Sequence, residues 1–366
     1  MIPLKDLGSK LSIPKYGTAV REEVSFMKAL VLEKPYSFAV LDLPEPVPGA
    51  GEALVRVLSA GICGSEVHAY HGKHPKRLPP AVMGHEVCGV VEQLGEGVTE
   101  NLLGRRVIVM PQKACGVCRW CSEGKPNLCD SKVMLGEKTW PGGYAEYFVA
   151  PASLLYPVPE HLSNDAATLI EPLAVAVHAV RCGGVGLGDR IAVLGAGAIG
   201  LMTVVAAHAA GASMILASDI CAYNLDRALE AGATHVCNAR RQDVVNMALE
   251  LSSGMGMDHV FMAVDAPGLF DQAIRATRKQ GHLTMIALFT DPVSVNLQIP
   301  KSKELLIRGS LTFDSSDFRI AVELAAQSGV NLEKFITHRF PLDKGNEAFA
   351  LVQGRTEDLV RVVFHP

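Results

Sequence analysis

Apolar residues in the first part of the chain occur in short runs that are separated by glycine and proline. The runs at 27–32, 53–58, 87–91 and 106–109 are rich in valine and leucine and are four to six residues long. Turn-forming stretches such as Pro48-Gly49-Ala50-Gly51 lie between them. Many short strands that alternate with such turns predict a small β-rich domain.

The pattern changes near residue 163, where apolar residues take a helical spacing and strands then begin to alternate with helices. A buried strand is predicted at 190–194 and a helix at 201–210. Further strands are predicted at 214–217, 235–237, 259–264 and 281–287, and further helices at 224–231, 242–251 and 269–277. This alternation predicts a doubly wound parallel sheet.

The end of the chain is predicted to return to the β-rich domain. Extended segments are predicted at 295–299 and 305–313, followed by two helices and a last strand at 359–364. A chain of 366 residues is too long for one ordinary core. We therefore predict a two-domain α/β protein with the following parts: an N-terminal extension (1–26), a β-rich domain (27–173 and 313–366) and a doubly wound domain (174–312).

Composition and charge exclude several classes of function. The net charge of -4, with no basic patch, argues against a nucleic-acid partner. No apolar run reaches the roughly 18 residues of a membrane span, and the first 26 residues lack the apolar segment of a secretory signal. Nine cysteines, four of them closely spaced, are typical of metal binding in a reducing compartment. We therefore expect a cytoplasmic protein that contacts no membrane.

The four closely spaced cysteines are Cys115, Cys118, Cys121 and Cys129. Four thiolates complete a tetrahedral zinc site with no open position, which is the arrangement of a structural zinc. An iron–sulfur cluster is the main alternative, but seven residues separate the third cysteine from the fourth, and no proline follows it. The sequence therefore predicts a structural-zinc lobe at about 113–131.

Three short runs, far apart in the chain, carry further residues that bind zinc. They are Gly61-Ile62-Cys63-Gly64-Ser65, Gly84-His85-Glu86 and Glu171-Pro172. Zinc accepts thiolate, imidazole and carboxylate ligands together, and a catalytic site keeps one position open. Cys63, His85 and either Glu86 or Glu171 are therefore predicted to form a catalytic zinc site.

A glycine-rich turn follows the predicted strand at 190–194. The run Gly195-Ala196-Gly197-Ala198-Ile199-Gly200 joins that strand to a helix, which is the setting that a dinucleotide-binding turn requires. The next strand ends at Asp219, nineteen residues after Gly200. A carboxylate there accepts hydrogen bonds from ribose hydroxyls and repels a 2′-phosphate, so the sequence predicts NAD rather than NADP. A simple helix cap is the alternative role of Asp219.

Together these motifs resemble those of the zinc-containing medium-chain dehydrogenase/reductase family, from Met27 almost to the end of the chain. They are most similar to its polyol branch, which includes sorbitol, 2,3-butanediol and threonine dehydrogenases. The resemblance implies a GroES-like catalytic domain, a Rossmann domain that binds NAD, and two zinc ions per chain. It also implies a small alcohol substrate and a homodimer or homotetramer.

The resemblance assigns roles to individual zinc-site residues as well. Cys63 and His85 match the two constant ligands of the catalytic zinc, and Glu86 matches the third ligand of the sorbitol dehydrogenase pattern. Glu171 stands where classical alcohol dehydrogenases have a ligating cysteine, and in the polyol branch it ligates or acts through water.

Two further matches concern proton transfer and the support of the zinc site. Ser65 and His68 match the proton relay of the family. Glu66 stands where the family usually has an aspartate behind the zinc-bound histidine. A glutamate is one methylene longer, so the sequence leaves open whether it supports His85.

The predicted function is the oxidation of a secondary alcohol of a polyol, cyclitol or sugar derivative. Zinc lowers the pKa of the bound alcohol, and the alkoxide then transfers a hydride to NAD. The alternatives within catalysis are a threonine-type amino-alcohol dehydrogenase and an NADPH-linked carbonyl reductase. The alternative from outside catalysis is a nucleotide-binding protein that zinc stabilises and that converts no substrate.

Overall fold

The protein was analysed as a computed structural model, which divides into two compact units. The first unit comprises the chain up to Ile170 together with Ile336–Pro366, and the second comprises Glu171–Phe335. The described residues are 25–289, 291–327, 329–354 and 358–366. The predicted extension at 1–26 therefore lies almost entirely outside them.

Ten strands and three short helices form in the described residues that precede Ile170. The strands are β1 (Phe26–Lys34), β2 (Ser37–Pro44), β3 (Glu52–Gly61), β4 (Ala81–Val82), β5 (Glu86–Leu94), β6 (Arg106–Val109), β7 (Gln112–Lys113), β8 (Val133–Met134), β9 (Tyr147–Pro151) and β10 (Leu155–Pro157). The helices are α1 (Gly64–Tyr70), α2 (Arg119–Ser122) and α3 (Asn164–Thr168). The apolar runs therefore form strands as predicted, whereas α1 carried too few apolar residues to be recognised.

Strands and helices alternate in the second unit. The helices are α4 (Ile170–Gly183), α5 (Ala198–Ala209), α6 (Ala222–Glu230), α7 (Val244–Leu251), α8 (Leu269–Ala276), α9 (Gln298–Lys303) and α10 (Ser315–Ala325). The strands are β11 (Arg190–Leu194), β12 (Met214–Asp219), β13 (His235–Asn238), β14 (Met257–Met262), β15 (Thr277–Met285) and β16 (Leu306–Gly309).

These six strands form one parallel sheet in the order β13-β12-β11-β14-β15-β16. The strand order reverses direction between β11 and β14, and doubly wound sheets bind ligands at the carboxyl end of such a switch point. The glycine-rich turn directly follows β11 and therefore lies at that point. The predicted fold class is confirmed.

The end of the chain returns to the first unit as β17 (Ile336–Pro341), α11 (Gly345–Gly354) and β18 (Arg361–His365). Strand β18 pairs with β3, and the sheet runs in the order β10-β6-β5-β3-β18-β17, with β9 also paired to β3. A separate three-stranded sheet has the order β2-β1-β4. The inward sides of these strands form one core of mainly valine, alanine and leucine side chains.

Three features of the C-terminal part differ from the sequence expectation. The chain re-enters the first unit at Ile336 rather than at 313. Helix α10 stays with the second unit because Asp317 accepts hydrogen bonds from His178 and Arg181 of α4. The segment 295–299 is not a strand, since α9 begins at Gln298, and the extended segment at 305–313 shortens to β16.

The helical stretch Asn164–Gly183 is long and apolar enough to cross a membrane. Within the fold, 78% of its most apolar window is buried. Its composition is therefore accounted for by packing in the protein interior.

The glycine-rich turn depends on a close backbone approach. A Cβ atom on Gly200 would lie 1.8 Å from the carbonyl oxygen of Gly195, whereas a Cβ on Gly197 would meet nothing within 4 Å. Alanine at position 200 therefore has to push the first turn of α5 away from the end of β11. Alanine at position 197 does not disturb this packing.

We expect Gly200→Ala to lower the free energy of unfolding by about 1–3 kcal/mol, as overpacking in a close-packed site does. Chemical denaturation followed by circular dichroism measures this change. Gly197→Ala is the matched control and should unfold as the wild type does. Equal stability of the two variants would contradict the close approach of Gly200 and Gly195.

Candidate active site and metal centres

A single buried carboxylate, that of Glu66 in α1, organises the candidate catalytic site. Its side chain is fully buried. Oε1 accepts hydrogen bonds from the Gly84 amide at 2.8 Å and from His85 Nδ1 at 2.9 Å. Oε2 accepts from the Cys63 amide at 3.0 Å and from the Tyr144 hydroxyl. The glutamate therefore does support the histidine, which answers the question that its extra methylene raised.

These contacts determine the charge on Glu66 and the tautomer of His85. Burial alone would raise the pKa of Glu66, but His85, Arg77 and Tyr144 outweigh it and lower the pKa to about 2. An ionised carboxylate is only an acceptor, so the Nδ1 atom of His85 must carry a proton. Nε2 is thereby the ring nitrogen that would bind a metal ion, in place of the proton with which it contacts the Cys63 sulfur.

Cys63 and His85 lie next to each other in front of this carboxylate. Burial opposes the Cys63 thiolate, but the charge of His85 and its hydrogen bond to the sulfur lower the pKa of the thiol. Burial would also lower the pKa of His85, but Glu66 and Cys63 outweigh it and raise the pKa. The thiolate form, which binds zinc, is therefore favoured at Cys63.

Glu86 completes a group of three potential ligands. One ligand atom each of Cys63, His85 and Glu86 lie within 4.8 Å of one another, and Glu86 is fully buried. Its carboxylate pairs with the buried guanidinium of Arg361 in β18, although neither carboxylate oxygen makes a hydrogen bond of normal geometry. Arg361 also donates to the carbonyl of Ile62 at 2.9 Å. A thiolate, an imidazole and a carboxylate are donors that suit zinc. The Glu86 carboxylate lies close to the other two donors and also pairs with Arg361.

Gly84 is required by the geometry of this site. Its φ angle is +97°, and a Cβ atom there would lie 2.5 Å from the Tyr144 ring. A larger residue would therefore separate Tyr144 from Glu66 and displace the neighbouring His85. This packing explains why a glycine precedes His85.

The residues predicted to relay a proton are only partly connected. Ser65 Oγ donates to Cys63 Sγ at 3.3 Å and accepts from Arg77 Nη1 at 2.7 Å. No hydrogen bond joins Ser65 to His68, both of which lie in the described part of the chain. The relay through His68 therefore stays a prediction.

Glu171 is the first residue of the second unit and lies in the first turn of α4. Its side chain is 4% exposed, and the residue takes part in polar contacts. Pro172 next to it is tolerated because amides in a first turn have no intrahelical partner. Its role as a zinc ligand or a catalytic residue stays a prediction.

The four cysteines of the lobe come together as the spacing predicted. One sulfur atom from each of Cys115, Cys118, Cys121 and Cys129 lies within 4.8 Å of the others. The amides of Val117 and Cys118 donate to the Cys115 sulfur and are the main cause that lowers its pKa to about 6. Amides that stabilise a thiolate in a four-sulfur cage suit a structural zinc. All nine cysteines are free of disulfides.

The glycine-rich turn and Asp219 are joined directly. Asp219 Oδ2 accepts from the Ala196 amide at 2.7 Å, and Oδ1 accepts from the Cys221 amide at 2.9 Å. The carboxylate thus joins the turn to the segment before α6, whose N-cap residue is Cys221 and which has no side-chain cap. The N-terminus of α5, with Gly197, Ala198 and Ile199, presents free amides to a phosphate. The arrangement suits a dinucleotide.

Comparison with known proteins agrees with these features. Residues 49–160 match the alcohol dehydrogenase GroES-like domain, and residues 198–327 match the zinc-binding dehydrogenase family. A sorbitol dehydrogenase from Halalkalibacterium halodurans is 31% identical over 93% of this chain and 99% of its own length. The chain belongs to the zinc-containing medium-chain dehydrogenase/reductase family.

Solved structures of relatives contain both nicotinamide coenzymes. An alcohol dehydrogenase from Escherichia coli in complex with NADH superposes with a TM-score of 0.86 at 31% identity, covering 93% of this chain and 100% of that one. A zinc-binding dehydrogenase from Sinorhizobium meliloti bound to NADP gives a TM-score of 0.87 at 30% identity, with the same coverage. The family is therefore an enzyme family that uses a nicotinamide cofactor, and the coenzyme varies among its members.

Two residues of the site had not been singled out from the sequence. Tyr144 contacts Glu66 from a segment 78 residues away. Arg77 is buried against Ser65 although it lies in a polar, charged segment. Neither residue carries a local pattern, so neither was recognisable before the fold was known.

The four-cysteine lobe provides a test of the metal assignment. We expect Cys129→Ser to reduce the bound zinc from two ions per chain to one, because three thiolates hold the ion poorly. Elemental analysis of the purified protein measures the zinc, and thermal unfolding should show a lower Tm. Cys182→Ser, which removes a cysteine outside both clusters, is the control. Two zinc ions in the Cys129→Ser protein would contradict the assignment.

Proposed function

We propose that the protein is a zinc-dependent dehydrogenase that transfers a hydride from a secondary alcohol to NAD. The substrate class is a polyol, a cyclitol or a sugar derivative. The observation that carries this proposal is the group of Cys63, His85 and Glu86 in front of the buried Glu66 carboxylate. The sorbitol dehydrogenase relative supports the class of substrate.

Each residue has a defined role in this proposal. Cys63 and His85 hold the catalytic zinc, with Glu86 or Glu171 as the third protein ligand. When bound, zinc supplies the Lewis acidity that lowers the pKa of an alcohol. Ser65 receives the alcohol proton and passes its own proton toward His68, after its hydroxyl has turned away from the Cys63 sulfur.

Asp219 supports NAD as the preferred coenzyme. Its carboxylate has lone pairs left after the two amide contacts, and these can accept hydrogen bonds from the ribose hydroxyls. A 2′-phosphate at the same place would meet a negative charge. The NADP-bound relative shows that the family also accepts the other coenzyme, so this preference needs a direct measurement.

The proposal is tested by following coenzyme reduction with sorbitol, xylitol, 2,3-butanediol, inositols, aldonates and threonine, with NAD and NADP in parallel. We expect turnover with NAD on one substrate group. Cys63→Ala should lower kcat by more than about 100-fold, since the loss of a ligand exceeds the loss of its supporting contacts. It should also remove one zinc ion per chain.

Cys182→Ala is the control and should keep wild-type rates. A Cys63→Ala protein that folds and turns over normally would contradict the zinc assignment. Faster turnover with NADP than with NAD would contradict the role of Asp219. Binding of two zinc ions and NADH without turnover would point to a more specialised alcohol outside this panel. A single zinc ion per chain without turnover would favour the non-catalytic alternative.

We also propose that the chain forms a homodimer or homotetramer through β16. This strand is the edge of the parallel sheet, and all four of its residues are exposed. Leu306 and Ile307 are 60% and 37% exposed. An exposed apolar edge strand is a favourable place for pairing with a second copy. The strand, rather than the segment 295–299, is therefore the proposed contact.

Light scattering should give a mass of at least twice the 39.1 kDa of one chain. We expect Leu306→Lys to shift the protein toward the monomer, because the lysine charge would have to be buried in the contact. Leu187→Lys, at a site that is 90% exposed in the same unit, is the control. A monomeric wild type would contradict the proposal.

The nine free cysteines support the expected location in the reducing cytoplasm. This location remains a proposal. Subcellular fractionation tests it, and recovery of the protein outside the cytoplasm would contradict it.

A further inference from the structure

A second group of titratable side chains lies in the second unit, and neither proposed zinc site uses it. His178 and Cys182 stand four residues apart in α4, on one face of the helix, and Asp317 faces them from α10. His178 Nδ1 donates to Asp317 Oδ2 at 2.7 Å, and the distance from His178 Nε2 to Cys182 Sγ is 3.4 Å. Thiol, imidazole and carboxylate thus form one chain of hydrogen bonds, which is the order of groups that activates a nucleophilic cysteine.

The Asp317 carboxylate fixes the orientation of His178. Its side chain is only 1% exposed, Oδ2 also accepts from the Asp314 amide at 3.0 Å, and Oδ1 pairs with Arg181. Asp314 lies within 4.8 Å of both residues, but its Oδ1 accepts from two amides at the start of α10. With the carboxylates engaged in this way and Arg181 beside them, the group suits a shared proton rather than a metal ion.

The charges around the sulfur favour a thiolate next to an imidazolium. The hydrogen bond from His178 lowers the pKa of the Cys182 thiol, and burial opposes it. The charges of His178 and Arg308 lower this pKa further and outweigh the opposing charge of Asp317. Burial would lower the pKa of His178, but its hydrogen bonds to Asp317 and Cys182 raise it to about 9. A thiolate–imidazolium pair is the form in which cysteines react.

Two basic residues of neighbouring strands contact the backbone at the end of α4. Arg308 of β16 donates to the Cys182 carbonyl, and His282 Nδ1 of β15 lies 2.7 Å from the Gly183 carbonyl oxygen. Their polar contacts go to carbonyl groups rather than to the sulfur. His178 is therefore the group that acts on the thiol directly.

Cys182 also differs from the other cysteines in its surroundings. Five cysteines are candidate zinc ligands, and Cys88 and Cys237 are buried. Cys182 and Cys221 remain, and both are partly exposed. In the described part of the chain no imidazole contacts the Cys221 sulfur. The zinc-loaded protein therefore offers two accessible thiols, of which one has an adjacent histidine.

We propose that Cys182 is a modification site, at which the thiolate exchanges with a low-molecular-weight disulfide such as glutathione disulfide. The Cys182 sulfur attacks one sulfur of the reagent, the disulfide bond of the reagent breaks, and a mixed disulfide forms. The other half leaves with the electron pair and takes the proton from His178 Nε2. Cys182 is thereby oxidised and the leaving half is reduced to a thiol. The site goes beyond the proposed dehydrogenase activity, in which Cys182 has no part.

The test treats the zinc-loaded wild type with glutathione disulfide at pH 7 and follows each modified cysteine by mass spectrometry of its peptides. Cys182 should react about tenfold faster than Cys221, because its thiolate is stabilised. Cys182→Ser should lose the fast reaction, whereas Cys221→Ser should keep it. A Cys221 that reacts as fast as Cys182 would overturn the proposal.

His178→Asn separates activation of the thiol from support of the fold. Asparagine keeps a donor toward Asp317 but lacks the ring nitrogen that contacts the sulfur. Cys182 should then react about tenfold more slowly, and Cys221 should change by less than about twofold. His259→Asn is the matched control, since His259 contacts Asp189 at 2.9 Å in the same unit. Equal slowing of Cys182 in the two variants would show a structural role for His178 and would overturn the proposal.

The pH dependence of the wild-type reaction gives a readout that needs no variant, which covers the case in which His178→Asn does not fold. Because the pKa of Cys182 is lowered, its thiolate persists as the pH falls. From pH 8 to pH 7 its rate should fall by less than about threefold. N-acetylcysteine, an ordinary thiol with a pKa near 8.5, should lose nearly tenfold under the same conditions. A Cys182 rate that falls as steeply as that of N-acetylcysteine would contradict the proposal.

Discussion

The candidate active site depends on the carboxylate of Glu66. A fully buried carboxylate is stable only when several donors replace the water that it has lost. Here four donors do so, and they come from three separate segments: the amide of Cys63, the amide of Gly84 with the imidazole of His85, and the hydroxyl of Tyr144. The same contacts bring Cys63 and His85 together and hold the histidine in a tautomer that suits metal binding. The side chain of Glu66 thus both holds the segments of the site together and sets the tautomer of His85.

The sequence was most informative where chemistry is encoded locally. The four cysteines lie within fifteen residues, and their type and spacing predict their grouping regardless of the surrounding fold. The glycine-rich turn is equally local, because the approach of Gly200 to Gly195 is a property of one strand–turn–helix unit. Both features were therefore predictable.

Contacts between distant segments could not be predicted in this way. Whether the Glu66 carboxylate contacts His85 depends on where α1 lies relative to the loop before β5. The length of the side chain alone does not determine this contact. Tyr144 and Arg77 carry no periodic pattern, and their importance follows only from the long-range packing that buries them. The apolar residues at 295–299 alternate as in a strand, yet the fold places the start of α9 there, with Pro300 in its first turn.

Two buried arginines act on the candidate site from different parts of the chain. Arg361 lies in a central strand, is paired with Glu86 and contacts the backbone beside Cys63, so it belongs to the framework of the site. Arg77 lies in a connecting segment and contributes to the site through its tip alone. Its charge also helps to lower the pKa of Glu66, so Arg77 acts on the carboxylate that holds His85. The two arginines therefore act on different carboxylates of one site, Arg361 on Glu86 and Arg77 on Glu66.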